Sequence, residues 1–525
     1  MRKTVKKLTA VGLTVTSVLG LVACGSSKGT TSQGTSENKE VTKPDTFTVM
    51  CDGTVVTETN GAEAFYKQLN EATGLDIKWT RPDHASYYDA VANAFNSDDT
   101  MPDVVLLSSD YYALYASNGF LWNMTDAWEH SETKNSGRLI STADNVLSAL
   151  MVNGEDGTKA MYGLSLYRGN GCCTYVKKAW LDKAGIDASK VKDVQMDFNT
   201  YYGYLKQMAQ TMGHYVISSP GFIHPEAPNT NYLPEFYQKA QYTFYKDTSG
   251  KYVDGFAQQE MKEALQRLQT AVNDGVIDRE SVNNSTANAR DKFYSTDPST
   301  ETGVFTYWAG TWANTLKTNL SNKGLDDELI AIKPIKELGA YTERIAPCWC
   351  ITSAAKNPEG IFKYFIDKML DGGDVQMLWT HGAKGTHWDD KAETVTVEKK
   401  EDQPKTYTEG QFHYLPGIEK PDQWQTKNHI DPILSIANFT NGYVGESLIP
   451  EVARENGEFF AENSQVAVPL PMTSELSNNI GDINTARTYV IAQVALGYMT
   501  VDEGMDYYNK TVGSLSNAVL KSLNK

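Results

Sequence analysis

Positive charge is scarce in this sequence. Its 48 lysines and arginines face 65 aspartates and glutamates, for a formal net charge of −17. Phosphate backbones are held by clustered Lys and Arg, so this balance argues against nucleic acid as a partner. It also argues against a body lying flat on anionic lipid. Long apolar runs are missing too. After residue 23 none reaches the roughly 18 residues that suggest a membrane-spanning helix. Histidine is sparse and scattered: there are eight, and the closest pair is His381 and His387. No H-E-x-x-H and no G-x-x-x-x-G-K-(S/T) occurs. Gly169-Asn170-Gly171 is too short for a dinucleotide fingerprint, and Asp247-Thr248-Ser249-Gly250-Lys251 lacks the spacing of an EF-hand loop. No cofactor, no catalytic residue and no metal ligand is therefore assigned. A glycosidase pair hidden among the many carboxylates stays open, because a sequence cannot measure their separation.

What is present begins with a basic start (Arg2, Lys3, Lys6, Lys7) and a charge-free apolar stretch from Leu8 to Ala23. That pattern reads as a secretory signal over residues 1–23. Leu21-Val22-Ala23-Cys24 resembles a bacterial lipobox, which makes Cys24 the expected lipidated residue and mature N-terminus; an ordinary signal peptide containing a cysteine is the alternative. Residues 24–45, rich in Ser, Thr, Gly, Lys and Glu, cannot bury enough surface to order themselves. As a flexible coil of about twenty residues they give a mean reach of roughly 25 Å. Five further cysteines, Cys51, Cys172, Cys173, Cys348 and Cys350, make an odd number. At least one thiol is thus unpaired within the chain. Buried free cysteines and a bridge between the two close pairs both remain possible readings.

The body alternates strand and helix. Strands are expected at Thr46–Met50, Leu75–Trp79, Asp103–Leu107, Gly163–Tyr167 and Cys172–Val176. Helices are expected at Ala62–Ala72, Ala85–Phe95 and Gln258–Asp274. In the last of these Met261, Leu265, Leu268 and Val272 share one face. Asn357-Pro358 reads as an N-cap and first helical position, and Thr500 to Glu503 has capping-box spacing. Apolar strands separated by helices imply an α/β fold of mostly parallel sheets covered on both faces.

Several segments together resemble family 1 of the extracellular solute-binding proteins of ABC importers, the larger oligosaccharide-binding type related to maltose-binding protein. Pro102-Asp103-Val104-Val105-Leu106-Leu107-Ser108-Ser109-Asp110 is similar to its P-D strand and loop. Asp156-Gly157 to Tyr162-Gly163-Leu164 resembles its D-G-K-x-Y-G hairpin, with two extra residues between the glycines. Trp180 to Ile186 resembles its W-L-D-K-x-G-I helix end, and Asn357-Pro358-Glu359 its N-P-E helix start. Gly382 to Trp388 and Gly497 to Glu503 are similar to two further stretches. The resemblance covers about residues 46 to 510. It implies a two-lobed periplasmic-binding-protein-like fold (type II), each lobe a mostly parallel sheet flanked by helices, with a hinge between. Lobe 1 would take residues 46–170 plus about 352–445, and lobe 2 about 171–351 plus about 446–525. It further implies a monomer that is not an enzyme and is lipid-anchored at the extracellular face of the cell membrane. Such a protein would capture a carbohydrate by hinge closure and deliver it to the permease subunits of an ABC importer. A peptide or other small solute, a membrane sensor role and a surface-anchored glycan hydrolase are the rivals, and some relatives hold a structural calcium.

A sugar offers one C–H face and a rim of hydroxyls, so its site wants aromatic platforms beside carboxylate, amide or arginine groups. The best cluster is Val304 to Trp312, giving Tyr307, Trp308 and Trp312 as candidates. Asp110, with Ser109, matches the family's loop aspartate and can equally cap a helix. Asp52 and Gly53 follow the first strand at the end where open α/β sheets bind ligands. Tyr167 and Arg168 follow the strand from Gly163, and Arg168 could fork onto hydroxyls or a ligand carboxylate. Trp349, Trp379, His381 and Trp388 complete the candidates, with core packing as the alternative for each.

Overall fold

The computed structural model describes residues 41–53, 61–83, 86–137, 147–165, 169–223, 231–325, 327–345, 347–395, 405–415, 451–468, 470–471 and 473–525. Val41–Lys525 form one compact unit. The strands that position the site are β1 (Thr46–Met50), β2 (Asp76–Thr80), β3 (Val104–Leu107), β4 (Gly163–Leu164), β5 (Cys172–Lys177), β6 (Val304–Trp308), β7 (Leu329–Ala331), β8 (Tyr341–Glu343), β9 (Cys348–Ile351) and β10 (Ser464–Val466). The helices are α1 (Ala62–Thr73), α2 (Tyr87–Ala94), α3 (Ser109–Ser117), α4 (Gln259–Asn273), α5 (Thr311–Asn322), α6 (Glu451–Glu462), α7 (Ser474–Ala495) and α8 (Val501–Leu523).

The first lobe is a five-stranded sheet in the order β2-β1-β3-β9-β4. Every residue of β3 and β9 is buried, as expected for inner strands with both faces covered. Their side chains meet α1 and the segment 358–381 in one core that includes Val49, Phe65, Val105, Trp349, Phe365 and Trp379. The second lobe centres on β5, with β6 and β7 on its two sides. Its main core takes the predicted face of α4 (Met261, Leu265, Leu268, Val272) together with α7 and α8. There the fully buried Arg487 of α7 pairs with Asp254 at 2.8 Å, and the other oxygen of Asp254 accepts from Tyr508 (2.7 Å) and Ser516 (2.6 Å) of α8.

Strand direction is more mixed than the alternation of strands and helices suggests. β1 runs parallel to β2 and β3, but β9 is antiparallel to both β3 and β4. β5 is antiparallel to β6 and β7. The cause is the way the chain changes lobes. β5 and β9 each enter their sheet from the crossing, whereas β3 and β6 run toward it.

The two described crossings lie side by side. The first leaves β4 and reaches β5 through Gly169–Gly171; the second leaves β8 and reaches β9 through Arg344 and Pro347. Gly171 and Glu343 form an antiparallel bridge, and Arg344 N–H donates to Asn170 O at 3.0 Å. A Cβ on Gly171 would fall 2.2 Å from Thr342 O, so the approach requires glycine. β8 also pairs in parallel with β10, and Ala467 N–H donates to Glu343 O at 2.8 Å. Cys348–Ile351, expected at the end of a lobe 2 segment, therefore hydrogen-bonds in the first sheet, immediately after the second crossing.

Candidate functional site

β9 begins at the second crossing, and Cys348 stands opposite Leu107. The carboxyl ends of β1 and β3 therefore face the crossings, the place where open α/β sheets present ligand-binding loops. Asp52 and Gly53 extend β1 there, half-buried; Cys51 N–H donates to Thr80 O (3.1 Å) and Gly53 N–H to Pro82 O (2.8 Å). Arg81, just past β2, lies 5.1 Å from the ring centre of Tyr66. After β3, Ser108 N–H donates to the Tyr88 hydroxyl at 2.9 Å. Tyr88 stacks on Tyr111 with ring centres 3.8 Å apart and planes 5° from parallel, and both rings are half-buried. Ser109 and Asp110 form the start of α3; their side chains lie outside the described set.

The second lobe presents the end of β6 to the same crossings. Trp308 pairs with Cys172, the first residue of β5. Ala309 N–H donates to Gly171 O and Asn170 Nδ2 donates to Ala309 O, both at 2.9 Å. Gly310 then turns the chain into α5 with φ 72° and ψ −123°, a conformation that disfavours any side chain. Its N–H donates to Asn456 Oδ1 of α6 at 2.7 Å. Trp308 is half-exposed, and the Arg344 guanidinium lies 4.5 Å from its ring centre. Arg344 Nε donates to Gly169 O at 3.0 Å. Trp312, in the first turn of α5 and half-buried, meets Tyr307 edge-on at 5.6 Å. Tyr307 itself points inward: it is 4% exposed and its hydroxyl accepts from Arg290 at 3.0 Å.

The remaining candidates sit elsewhere. Trp349 is fully buried among Trp79, Phe365 and Trp379, with ring centres 5.6–6.5 Å away. Trp379 and His381 belong to the same buried region, and burial pushes the His381 imidazole down to about 3, which keeps it neutral. Trp388 is half-exposed on the small antiparallel pair Trp388–Asp389 and His413–Tyr414. It stacks on Phe412 at 5.1 Å and donates its indole N–H to Gly382 O at 2.9 Å. Tyr167, Arg168 and Cys24 lie outside the described residues. The structure thus brings Asp52, Gly53, Ser109, Asp110, Trp308 and Trp312 to the ends of strands beside the crossings. It places Trp349, Trp379 and His381 in a core.

Cys51, Cys172, Cys173, Cys348 and Cys350 are all buried free thiols. Cys172-Cys173 and Cys348/Cys350 stand in different sheets, so no bridge joins them. Burial raises the pKa of Cys51, Cys173, Cys348 and Cys350, to about 12 for Cys51 and Cys173, so these four are unreactive at neutral pH. Among the described residues no cluster of three His, Cys, Asp or Glu could hold a metal ion. No described helix is long and apolar enough to cross a membrane.

Sequence reading missed Tyr88, Tyr111 and Arg344. Tyr111 directly follows Asp110 in the loop already singled out, so its signal was available. Arg344 carries no local signal; only the pairing of two crossings sets it over Trp308.

No family model matches the chain, and no curated protein matches it. Solved structures do. The chain is similar to an N-glycan transport solute binding protein from Streptococcus pneumoniae (17% identity, TM-score 0.57, covering 91% of this chain and 98% of that one). It is similar to the alginate-binding protein AlgQ2 (14%, TM-score 0.56, 93% and 99%). It is also similar to a solute binding protein associated with an HMO-binding ABC transporter from Bifidobacterium longum infantis (14%, TM-score 0.56, 91% and 98%). At such identity the likeness establishes the fold: two-lobed, α/β and periplasmic-binding-protein-like, over nearly the whole of both chains.

Proposed function

We propose that this protein is the extracellular substrate-binding component of an ABC importer and captures an oligosaccharide between its lobes. The observation that carries the reading is the company kept at the crossings. Half-exposed Trp308 and Trp312 stand at the end of one sheet. The half-buried Tyr88–Tyr111 stack and Asp52 stand at the end of the other. Flat rings beside polar strand ends suit the C–H face and hydroxyl rim of a sugar. The structures of the same fold named above are solute-binding proteins for glycans, which supports the reading. Closure about the crossings follows because a ligand can shift the lobes only through contacts made better in the closed state.

In this reading Cys24 carries the lipid, the stretch from Cys24 to the edge of the body at Val41 tethers a monomeric body to the outer face of the membrane, and the closed form docks on a permease. The tether raises the local concentration of binder at its transporter. Capture is stoichiometric and involves no turnover. The test is a thermal-shift screen of the purified protein against glycans and peptides. A ligand at 100 times its Kd should stabilise the fold by about 2.7 kcal/mol. Glycans that raise the melting temperature and are recovered intact support the proposal. Catalytic cleavage, or stabilisation by peptides alone, overturns it.

A further inference from the structure

Arg344 is a cation without a counter-ion among the described residues, at the place where a ligand between the lobes would lie. It belongs to the second crossing, its backbone is bonded to Asn170 of the first, and its guanidinium rests over Trp308 of β6. Among the described residues its side chain makes one hydrogen bond, Nε donating to Gly169 O at 3.0 Å. It takes part in no ion pair among the described residues. That is unexpected in a chain with 65 acidic residues. The carboxylate next to it in sequence, Glu343, is buried and accepts from Ser464 Oγ at 3.3 Å.

The guanidinium packed over the indole is planar, and its N–H groups lie in that plane, pointing outward from its edge. With Nε committed to Gly169, the two terminal nitrogens retain a fork that matches the two oxygens of a carboxylate. The indole beneath holds the fork in place, so little side-chain freedom is lost when the fork is filled. Arg344 is half-buried, which leaves that edge reachable and only partly screened by water.

Resting on the carbohydrate reading above, we propose that the sugar is an acidic one, and that Arg344 receives the carboxylate of a uronic or sialic acid unit. Recognition is a contact effect. The net charge of −17 repels an anion at long range, so discrimination resides in the paired fork rather than in steering. A charge-assisted pair of this kind corresponds to a preference of about tenfold to a hundredfold.

The experiment measures affinities of the purified full chain for oligouronates and sialyl-oligosaccharides, each beside the same glycan with its carboxyl groups reduced to alcohols. The expected result is that one native acidic glycan binds at least about tenfold tighter than its reduced partner. In R344Q that ratio should fall to about one, and in R344K it should be intermediate, since lysine keeps the charge and loses the fork. The two acid types separate a uronate from a sialate. Equal binding of native and reduced glycans by the unsubstituted chain overturns the proposal, whatever the variants do. So does a R344Q chain that weakens both to the same degree, which would make Arg344 a clasp of the crossings only. If neutral oligosaccharides bind and acidic ones do not, this inference alone fails. If no glycan of either kind binds, the carbohydrate reading fails with it.

Discussion

Glu235 is a carboxyl group with no cation paired to it among the described residues. It is 1% exposed and accepts from Thr174 Oγ1 at 2.7 Å, with the hydroxyl of Tyr341, the first residue of β8, at 3.4 Å. Burial pushes its pKa up from 4.5 to about 7. An acid raised in this way keeps its proton in the folded chain after the unfolded chain has lost it. Its contribution to stability is therefore full below about pH 4.5 and is lost as pH rises to about 7. Glu235→Gln, which keeps the accepting oxygen and removes the charge, should be more stable than the unsubstituted chain at pH 8. The gap, on the order of 3 kcal/mol, should close toward pH 4.5. Urea unfolding at the two pH values checks this, and a difference independent of pH would refute it. Trp308→Ala addresses the site. It should weaken glycan binding by about 1.5–3 kcal/mol, near 10- to 100-fold, by calorimetry, while leaving the far-ultraviolet circular dichroism unchanged. Trp308 was legible in the sequence because an apolar strand runs straight into Trp-Ala-Gly. Trp349 reads just as aromatic on paper but faces a core, and only the third dimension tells the two apart.

Among the elements, helices were the more legible. α1 and α4 fall within a residue or two of their predicted bounds, since their apolar periodicity and glycine stops are local signals. The capping box at Thr500 and Glu503 is present as read. The helix opening at Asn357-Pro358 has its cap, yet it changes into a π turn at Phe362–Ile366, which no periodicity announces. Strand direction was not legible either: β9 looks like any apolar strand, and its antiparallel setting depends on a crossing whose partners are far away in sequence. α7 and α8 are tied through the Arg487–Asp254 pair, with four aromatic rings within 6 Å of the guanidinium. Arg487→Met should cost about 3–5 kcal/mol, because it strands a buried carboxylate. Arg487→Met with Asp254→Asn should recover part of the loss in a urea double-mutant cycle. Strict additivity of the two substitutions would show that the pair is not coupled.

For the whole molecule, ligand capture and lobe movement should be one event. Fluorophores placed one on each lobe should report a single shift in distance that saturates at one ligand per chain, with the same midpoint as the thermal stabilisation. A saturating stabilisation without any change in distance would refute hinge closure. The paired crossings have another consequence, for the order in which the chain can acquire its shape. The first sheet has β3 at its centre, but β3 lacks a neighbour on one side until β9 is present, so Leu107 waits for Cys348. The second core waits for α7 and α8, at the far end of the chain. Neither half can be completed while the ribosome is still midway, and at roughly 5–20 residues per second that interval lasts tens of seconds. A nascent chain that stays unfinished this long remains threadable, which is the state that export of the kind proposed above would require.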